Sequence, residues 1–324
     1  MKAIKRATLH ILLRALLPTV NNNRKKDTHF VRTIECICGE RDSLTFECED
    51  NVGAHVNVSV CTSCGLMRLS PYLDTDQLAE FYRKDYRKRY HSWDSQSKNK
   101  VFHAQRSTAR KYIELLEHVR LKKGKKSNCK IIDLGCSLGG CVAELCEHGF
   151  DAEGVDLDDE SVLYAVKNNL PVSQGDLTTL AGYKTYDVAI LSHVIEHIPD
   201  IRRFVRALSE LVSKDGVVVI ATPLLFNWWS YLGERGDFKR HLQLPHCFYF
   251  RETDVVSLLN EQGFTPVVVN KKNNTFIFQR NQNWNRRTDI NQSVYTLPLF
   301  LLALPFFKFL TTFILSIRRA SKRA

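Results

Sequence analysis

KIIDLGCSLGG, residues 130–140, joins a short apolar run to a glycine-rich turn, with an acid just before the bend. A β-branched apolar run of this length, ended by Asp133, reads as a buried strand. The glycines then open a helix, GGCVAELCEHG, closed by Gly149. Downstream the alternation continues. DAEGVDLD is a second strand, DESVLYAVKNN a helix, PVSQGDL a short third strand and YDVAILS a fourth. DIRRFVRALSELVSKDG is a helix stopped by Gly216, and GVVVIATP is a fifth strand ended by Pro223. RETDVVSLLNEQG is another helix before FTPVVVN and NTFIFQR, a closing antiparallel pair. Strands and helices alternating with short connections predict an α/β fold: a doubly wound, mostly parallel seven-stranded sheet whose ligand lies at the strands' C-terminal edge.

The turn itself narrows the ligand. Dinucleotide sites need G-x-G-x-x-G so that bare backbone approaches a pyrophosphate. Here Ser137 occupies the middle glycine's place and Asp133 precedes the turn, unhelpful beside phosphates but useful for an ammonium. S-adenosyl-L-methionine carries an ammonium, a sulfonium, a ribose diol and an adenine, with no phosphate. The acids follow it piece by piece. Asp133 would orient the methionine end, directly or through water, while Gly135, Ser137 and Gly139 form the turn against it. Asp156, with Leu157 behind it, ends the second strand and would grip both ribose hydroxyls. Asp176 would accept from the adenine amino group, and Leu177 would offer a backbone donor. Ser192, leaving the fourth strand, would lie near the sulfonium. A helix-capping role is the alternative for Asp133 or Asp156 taken singly.

At these residues the sequence resembles the class I S-adenosylmethionine-dependent methyltransferases. IIDLGCSLGG, GVDLD, QGDL, YDVAILSHVIEHIPD and GVVVIATP stand in that family's order across about residues 128–280. Ser137 departs from the family's usual glycine. A cysteine-knuckle module ahead of the domain is similar to the bacterial subgroup that methylates sugars in surface-polysaccharide pathways. The resemblance implies methyl transfer to a sugar or glycan precursor, with a lipid-linked one in view.

Methyl transfer to a hydroxyl is an in-line displacement that needs a base. His193, Glu196 and His197 in SHVIEHIPD share one face if that stretch is helical. His193, nearest the sheet edge, is a candidate base, His246 a second, and Glu196 a catalytic partner. The resemblance to quinone-type O-methyltransferases, which carry an acid where this chain has His193, also leaves open a divalent metal on His193, Glu196 and His197. Trp228, Trp229, Tyr231, Arg240 and His241 lie in a long aromatic connection suited to choosing the acceptor.

Residues 36–65 hold Cys36-Ile-Cys38-Gly39 and Cys61-Thr-Ser-Cys64-Gly65, two knuckles that suit a structural Zn2+ on four thiolates. Cys48 could stand in for Cys36. Ten cysteines without a cleavable leader fit a reducing compartment, where such pairs mean metal more often than disulfide.

The formal charge is +11. Residues 1–26 carry seven cations and no acid, and residues 271–324 net +9, so the span between them is −5. A nucleic-acid enzyme would more often put its basic surface around its site. Basic, apolar ends instead predict contact with an anionic membrane. YTLPLFLLALPFFKFLTTFILSI, residues 295–317, is long enough to cross a bilayer, but two prolines and Lys308 favour an interfacial or re-entrant helix. A buried helix of the domain is the alternative. The predicted layout is a basic apolar segment over 1–30, a zinc-ribbon-like module over 31–70, a helical region over 71–127, the cofactor domain over 128–280 and a membrane-associating tail over 281–324. The expected setting is cytoplasmic, at the inner face of the membrane, with a small-molecule or glycan acceptor as partner. An RNA methyltransferase, a non-catalytic scaffold and a nicotinamide dehydrogenase are the competing readings; the charge distribution and the broken glycine pattern disfavour the first and the last.

Overall fold

The computed structural model describes residues 36–41, 43–61, 63–70, 72–84, 86, 94–119, 128–180, 185–224 and 242–281. The basic N-terminal segment, the connection bearing Trp228, Trp229, Tyr231, Arg240 and His241, and the apolar tail lie outside them. In chain order the elements are β1 (Ser43–Glu49), β2 (His55–Cys61), β3 (Met67–Leu69), α1 (Thr75–Lys84) and α2 (Ser95–Val119). Then come β4 (Lys130–Leu134), α3 (Gly140–Glu147), β5 (Asp151–Asp156), α4 (Asp159–Lys167), β6 (Val172–Gln174) and α5 (Leu177–Leu180). β7 (Tyr186–Ser192), a 3-10 turn (Ile195–His197), α6 (Ile201–Leu211) and β8 (Val212–Ala221) follow. The described chain closes with β9 (Phe248–Tyr249), α7 (Glu252–Asn260), β10 (Phe264–Asn270) and β11 (Thr275–Arg280).

The large sheet has seven strands in the order β10-β11-β8-β7-β4-β5-β6. β8, β7, β4, β5 and β6 pair in parallel, while β11 pairs antiparallel with both β8 and β10. Its central strands read as unbroken apolar runs because both faces are covered. Ile132, Leu134, Ala189, Leu191, Val218 and Ile220 face one core; Ile131, Val188, Ile190, Val217 and Val219 face the other. This Rossmann-like, mostly parallel sheet is the architecture expected from the alternation.

One boundary differs from the sequence reading. The α6 helix ends at Leu211, and β8 begins at Val212 rather than after Gly216. Val212 pairs with Tyr186 and Val217 with Val188, so residues 213–216 bulge out of register. Gly216 suits that tight path, since a Cβ there would lie 2.2 Å from Val212 Cγ1. Gly216 therefore serves a bulge and not a helix stop.

The smaller sheet runs β1-β2-β3-β9. Its fourth strand comes from residues 248–249, far along the chain, and it shares one core with the large sheet through Val58, Val60, Leu69, Phe248 and Phe250. Arg251 donates to Cys64 O at 2.7 Å, and Tyr72 to Pro199 O at 2.9 Å, across the same seam. On the opposite face α2 packs against α3, where buried Glu144 accepts from Arg106 and Arg110 at 2.6 and 2.7 Å.

Candidate functional site

The parallel strands β4, β5, β6 and β7 deliver their C-terminal ends to one edge, as the fold requires. At the first of them, Asp133 is 3% exposed. Burial pushes its carboxyl up to about 7, against the pull of a hydrogen bond from Cys141. The turn that follows is left-handed at Gly135, Ser137 and Gly139, with φ of 75°, 50° and 77°. Gly135 is sterically required as well, because a Cβ there would come within 2.7 Å of Val194 Cγ2. Ser137 holds a conformation that favours glycine, so the departure noted in the sequence sits on a strained residue.

Asp156 ends β5 with Oδ2 accepting from Ser137 N at 2.7 Å and Oδ1 accepting from Asp158 N at 2.8 Å. The cap of α4 belongs to Asp158, which accepts from Ser161 N. Asp156 thus binds the turn instead of capping a helix. Leu157 beside it is 42% exposed, an apolar surface at the sheet edge. Asp176 is half-buried at the end of β6, and buried Leu177 opens α5. Ser192 Oγ lies 3.0 Å from Tyr112 Oη. These residues line up along successive strand ends.

Gln105, on α2, was not singled out by the sequence. Its Nε2 donates to Cys136 O at 3.0 Å and its Oε1 accepts from Gly140 N at 3.1 Å, pinning the turn at both ends. Gly140 makes room for that helix, since a Cβ there would lie 2.4 Å from Phe102 O.

Past β7 the character changes. His193 has a positive φ of 58° and a side chain 65% exposed. Its Nδ1 stands 3.4 Å from Glu196 Oε1, and this carboxylate raises the imidazole's pKa. The segment is a 3-10 turn, not the helical face assumed from spacing, so His193 and His197 diverge around Glu196. Glu196 is 1% exposed and accepts from Thr222 Oγ1 at 2.9 Å. Burial pushes its carboxyl up, but His193, His197 and His246 together outweigh that and hold it at about 2. His197 Nδ1 is 2.8 Å from Tyr82 Oη and 3.1 Å from Pro245 O. Burial lowers the His197 pKa. His246 is buried, its ring edge-on to His197 with centroids 4.6 Å apart. Of the two candidate bases, His193 opens to solvent and His246 packs inside. Tyr82 and Thr222 were missed in the sequence: Tyr82 sits in a basic-aromatic run that reads as a charged helix face.

Cys36, Cys38, Cys61 and Cys64 bring their four Sγ atoms within 4.8 Å of one another. The Cys36–Cys64 and Cys38–Cys61 pairs are each 3.5 Å apart, and none of the four is in a disulfide. Sulfurs about 2.3 Å from a zinc ion would be roughly 3.8 Å apart in a tetrahedron, so the cluster fits that ion. Gly39 and Gly65 take φ of 85° and 77° to bend the two knuckles. Cys36 completes this set, and the Cys48 side chain lies outside the described ones.

Comparison with known proteins identifies the domain. The methyltransferase-domain family profile matches residues 101–269, about half of the chain. The ubiquinone biosynthesis O-methyltransferase of Rickettsia typhi is 28% identical over 136 residues, covering 40% of this chain and 54% of that protein. The protein of the same name from Bartonella tribocorum is 23% identical over 227 residues, covering 61% of this chain and 86% of its own. The chain spans about half the length of the Rickettsia relatives it matches. Among solved structures, magnesium protoporphyrin IX methyltransferase from Synechocystis with bound SAH aligns at 18% identity and a TM-score of 0.44, over 64% of this chain and 100% of that one. The chain belongs to the methyltransferase-domain family, and the domain it carries is that of a class I S-adenosylmethionine-dependent methyltransferase.

Proposed function

We propose that this enzyme O-methylates a hydroxyl acceptor held beyond the ends of β7 and β8, with His193 as the base. The observation that carries the reading is His193 itself: a solvent-open imidazole in a strained backbone at a strand end, backed by buried Glu196. Strain of this kind collects where geometry serves chemistry. The donor supplies a methyl carbon activated by a sulfonium. Asp133 binds its ammonium, Asp156 its ribose, Asp176 and Leu177 its adenine, and the turn from Gly135 to Gly139 lies along it, with Leu157 and Ser192 at its flanks. His193 takes the acceptor's proton as the oxygen bonds to the methyl carbon and the carbon–sulfur bond breaks, leaving a neutral thioether.

The acceptor we favour is a sugar or glycan precursor. The cysteine module beside the site supports this, as do the basic apolar ends, which would bring the enzyme to a lipid-linked substrate at the inner membrane face. Those ends would associate peripherally; among the described residues no helix is long and apolar enough to cross a membrane. In this reading Cys36, Cys38, Cys61 and Cys64 hold a structural Zn2+ whose closed coordination leaves no position for substrate. A second reading has a specific support: the curated relatives reported above are named for ubiquinone biosynthesis, so a phenolic hydroxyl on a prenylated ring is the competing acceptor. RNA stays disfavoured by the net −5 of residues 27–270.

Methyl label transferred from the donor into a fractionated extract separates these. Label in the glycan or glycolipid fraction, lost with His193→Asn, is expected. Label in a prenylated phenol establishes the second reading, and label in RNA overturns both.

A further inference from the structure

We propose that Tyr82 seats the methyl acceptor, donating its phenolic proton to the oxygen that is methylated. The proposal rests on the reading above, since it names the residue that holds the hydroxyl from which His193 takes the proton. Tyr82 lies on α1, ahead of residues 101–269 that the family profile matches. Its place in the site therefore comes from the segment between the cysteine module and the domain. Two tyrosines bring that segment onto the turn after β7. Tyr72 Oη donates to Pro199 O at 2.9 Å, and Tyr82 Oη lies 2.8 Å from His197 Nδ1. These contacts bridge 127 and 115 residues of sequence.

The direction of each hydrogen bond follows from the groups involved. The Pro245 carbonyl can only accept, so its 3.1 Å contact puts a proton on His197 Nδ1. A ring nitrogen that carries a proton has no lone pair to offer, so Tyr82 Oη accepts from the same N–H, which is shared between the two oxygens. The Tyr82 hydroxyl is left with its own proton to donate, and no acceptor for it appears among the described residues. Burial raises the phenol's pKa well above its usual range, aided by Tyr86, Glu196, Cys247 and Asp156, so the proton stays on the oxygen. Glu196 belongs to the turn after β7 and Asp156 ends β5. A phenol under the influence of both lies over the crevice between the two strand ends, where donor and acceptor must meet.

The ring is held as firmly as the oxygen. It stands edge-on to His197 with centroids 5.9 Å apart, and 4.7 Å from the ring of Tyr86. A phenol fixed in this way loses little freedom when it binds a ligand. An acceptor hydroxyl has two lone pairs. One accepts from Tyr82 while the other attacks the methyl carbon, and the hydroxyl's proton passes to His193. The oxygen–carbon bond forms as the carbon–sulfur bond breaks, so Tyr82 ends the step with its proton in place. Its contribution is aim and selection: a site built to donate to a hydroxyl rejects a ligand that lacks one. The competing roles are a brace for His197 alone and a contact to the methyl donor.

The test uses the full chain saturated with S-adenosylhomocysteine, with phenol and methyl glucoside as two small hydroxyl probes whose binding is followed by NMR. Tyr82→Phe keeps the ring and removes only the hydroxyl. The expected result is that one probe binds and loses about fivefold or more in affinity in Tyr82→Phe, the size of one hydrogen bond. S-adenosylhomocysteine should bind both proteins equally. The probe that responds tells a phenolic acceptor from a sugar. If neither probe depends on Tyr82, the seat is overturned. Weaker S-adenosylhomocysteine binding by Tyr82→Phe overturns it too, because Tyr82 would then serve the donor. A brace for His197 would shift the pH profile of methyl transfer into extract and leave probe affinity unchanged, which also overturns the seat. Methyl transfer that survives His193→Asn would instead strike the base, and the probe result would stand.

Discussion

The two halves of the sheet edge are built differently. On the donor side, from β4 to β6, the polar groups are engaged close at hand: Asp156 takes two backbone amides, Asp158 caps α4, and Gln105 clasps both ends of the turn. On the side where the acceptor is proposed to bind, around the end of β7, Glu196 keeps a buried oxygen without a hydrogen bond among the described residues and His193 sits at positive φ. The donor half is preorganised for one ligand common to the whole family. The other half leaves one buried carboxylate oxygen unsatisfied among the described residues. Preorganised donors raise affinity because little ordering remains at binding. An unsatisfied group gives selectivity, because only the right occupant relieves it.

If that contrast holds, the largest effect belongs to Asp156. Replacing Asp156 with Ala removes the ribose grip and releases the Ser137 amide together. Charge-assisted hydrogen bonds of roughly 1.5–3 kcal/mol each predict a loss of about 3 kcal/mol or more, on the order of 100-fold in S-adenosylhomocysteine affinity by calorimetry. Asp158→Ala is the control: losing the α4 cap should lower stability by about 1 kcal/mol with affinity little changed. Equal effects on affinity from both would erase the distinction between a ligand-binding acid and a capping one.

A smaller effect comes from Asp133. Its folded pKa of about 7 is raised from 3.8, so the free enzyme keeps this acid protonated below neutrality. Ionising it inside the fold costs about 4 kcal/mol by linkage, a penalty absent near pH 4 that grows as pH rises to 7. A bound ammonium needs the ionised form. Affinity for S-adenosylhomocysteine should therefore rise up to about tenfold per pH unit below 7 and level off above it, with a proton released on binding. Calorimetry in buffers of different ionisation enthalpy reads that proton. A flat profile in the wild type, or the same slope in Asp133→Asn, would remove Asp133 from the ammonium's contacts.

The same contrast decides how much could be read from the sequence. The donor half is a local code: each acid lies at the end of its own strand and each glycine bends the turn it occupies, so Asp133, Gly135, Asp156 and Asp176 could be placed at the sheet edge by position alone. The mostly parallel sheet followed from alternation, and the two cysteine knuckles from their spacing. The acceptor half is assembled across the chain. Tyr82 reaches His197 over 115 residues, and His246 reaches it over nearly 50. A helical face placed His193, Glu196 and His197 together on paper, whereas the 3-10 turn turns His193 outward and brings His246 in. Gln105 left no signal either, being one polar residue on a long helix. Small sequence separation carries information forward, and long-range packing does not.

The finest test lies at Ser137, where the donor half departs from its own rule. Its φ of 50° is left-handed, a region that disfavours a residue with a Cβ by roughly 1–2 kcal/mol. Ser137→Gly relieves that strain but gives the unfolded chain more freedom, worth about 0.5–1 kcal/mol in the other direction. The difference predicts a gain of up to about 1.5 kcal/mol in chemical denaturation. Affinity should hold, since the Ser137 amide that Asp156 accepts from is backbone and survives the change. A variant destabilised by more than about 1 kcal/mol would mean that the hydroxyl carries a contact of its own. The donor turn would then hold a specific group where only backbone was expected, narrowing the gap between the two halves of the edge.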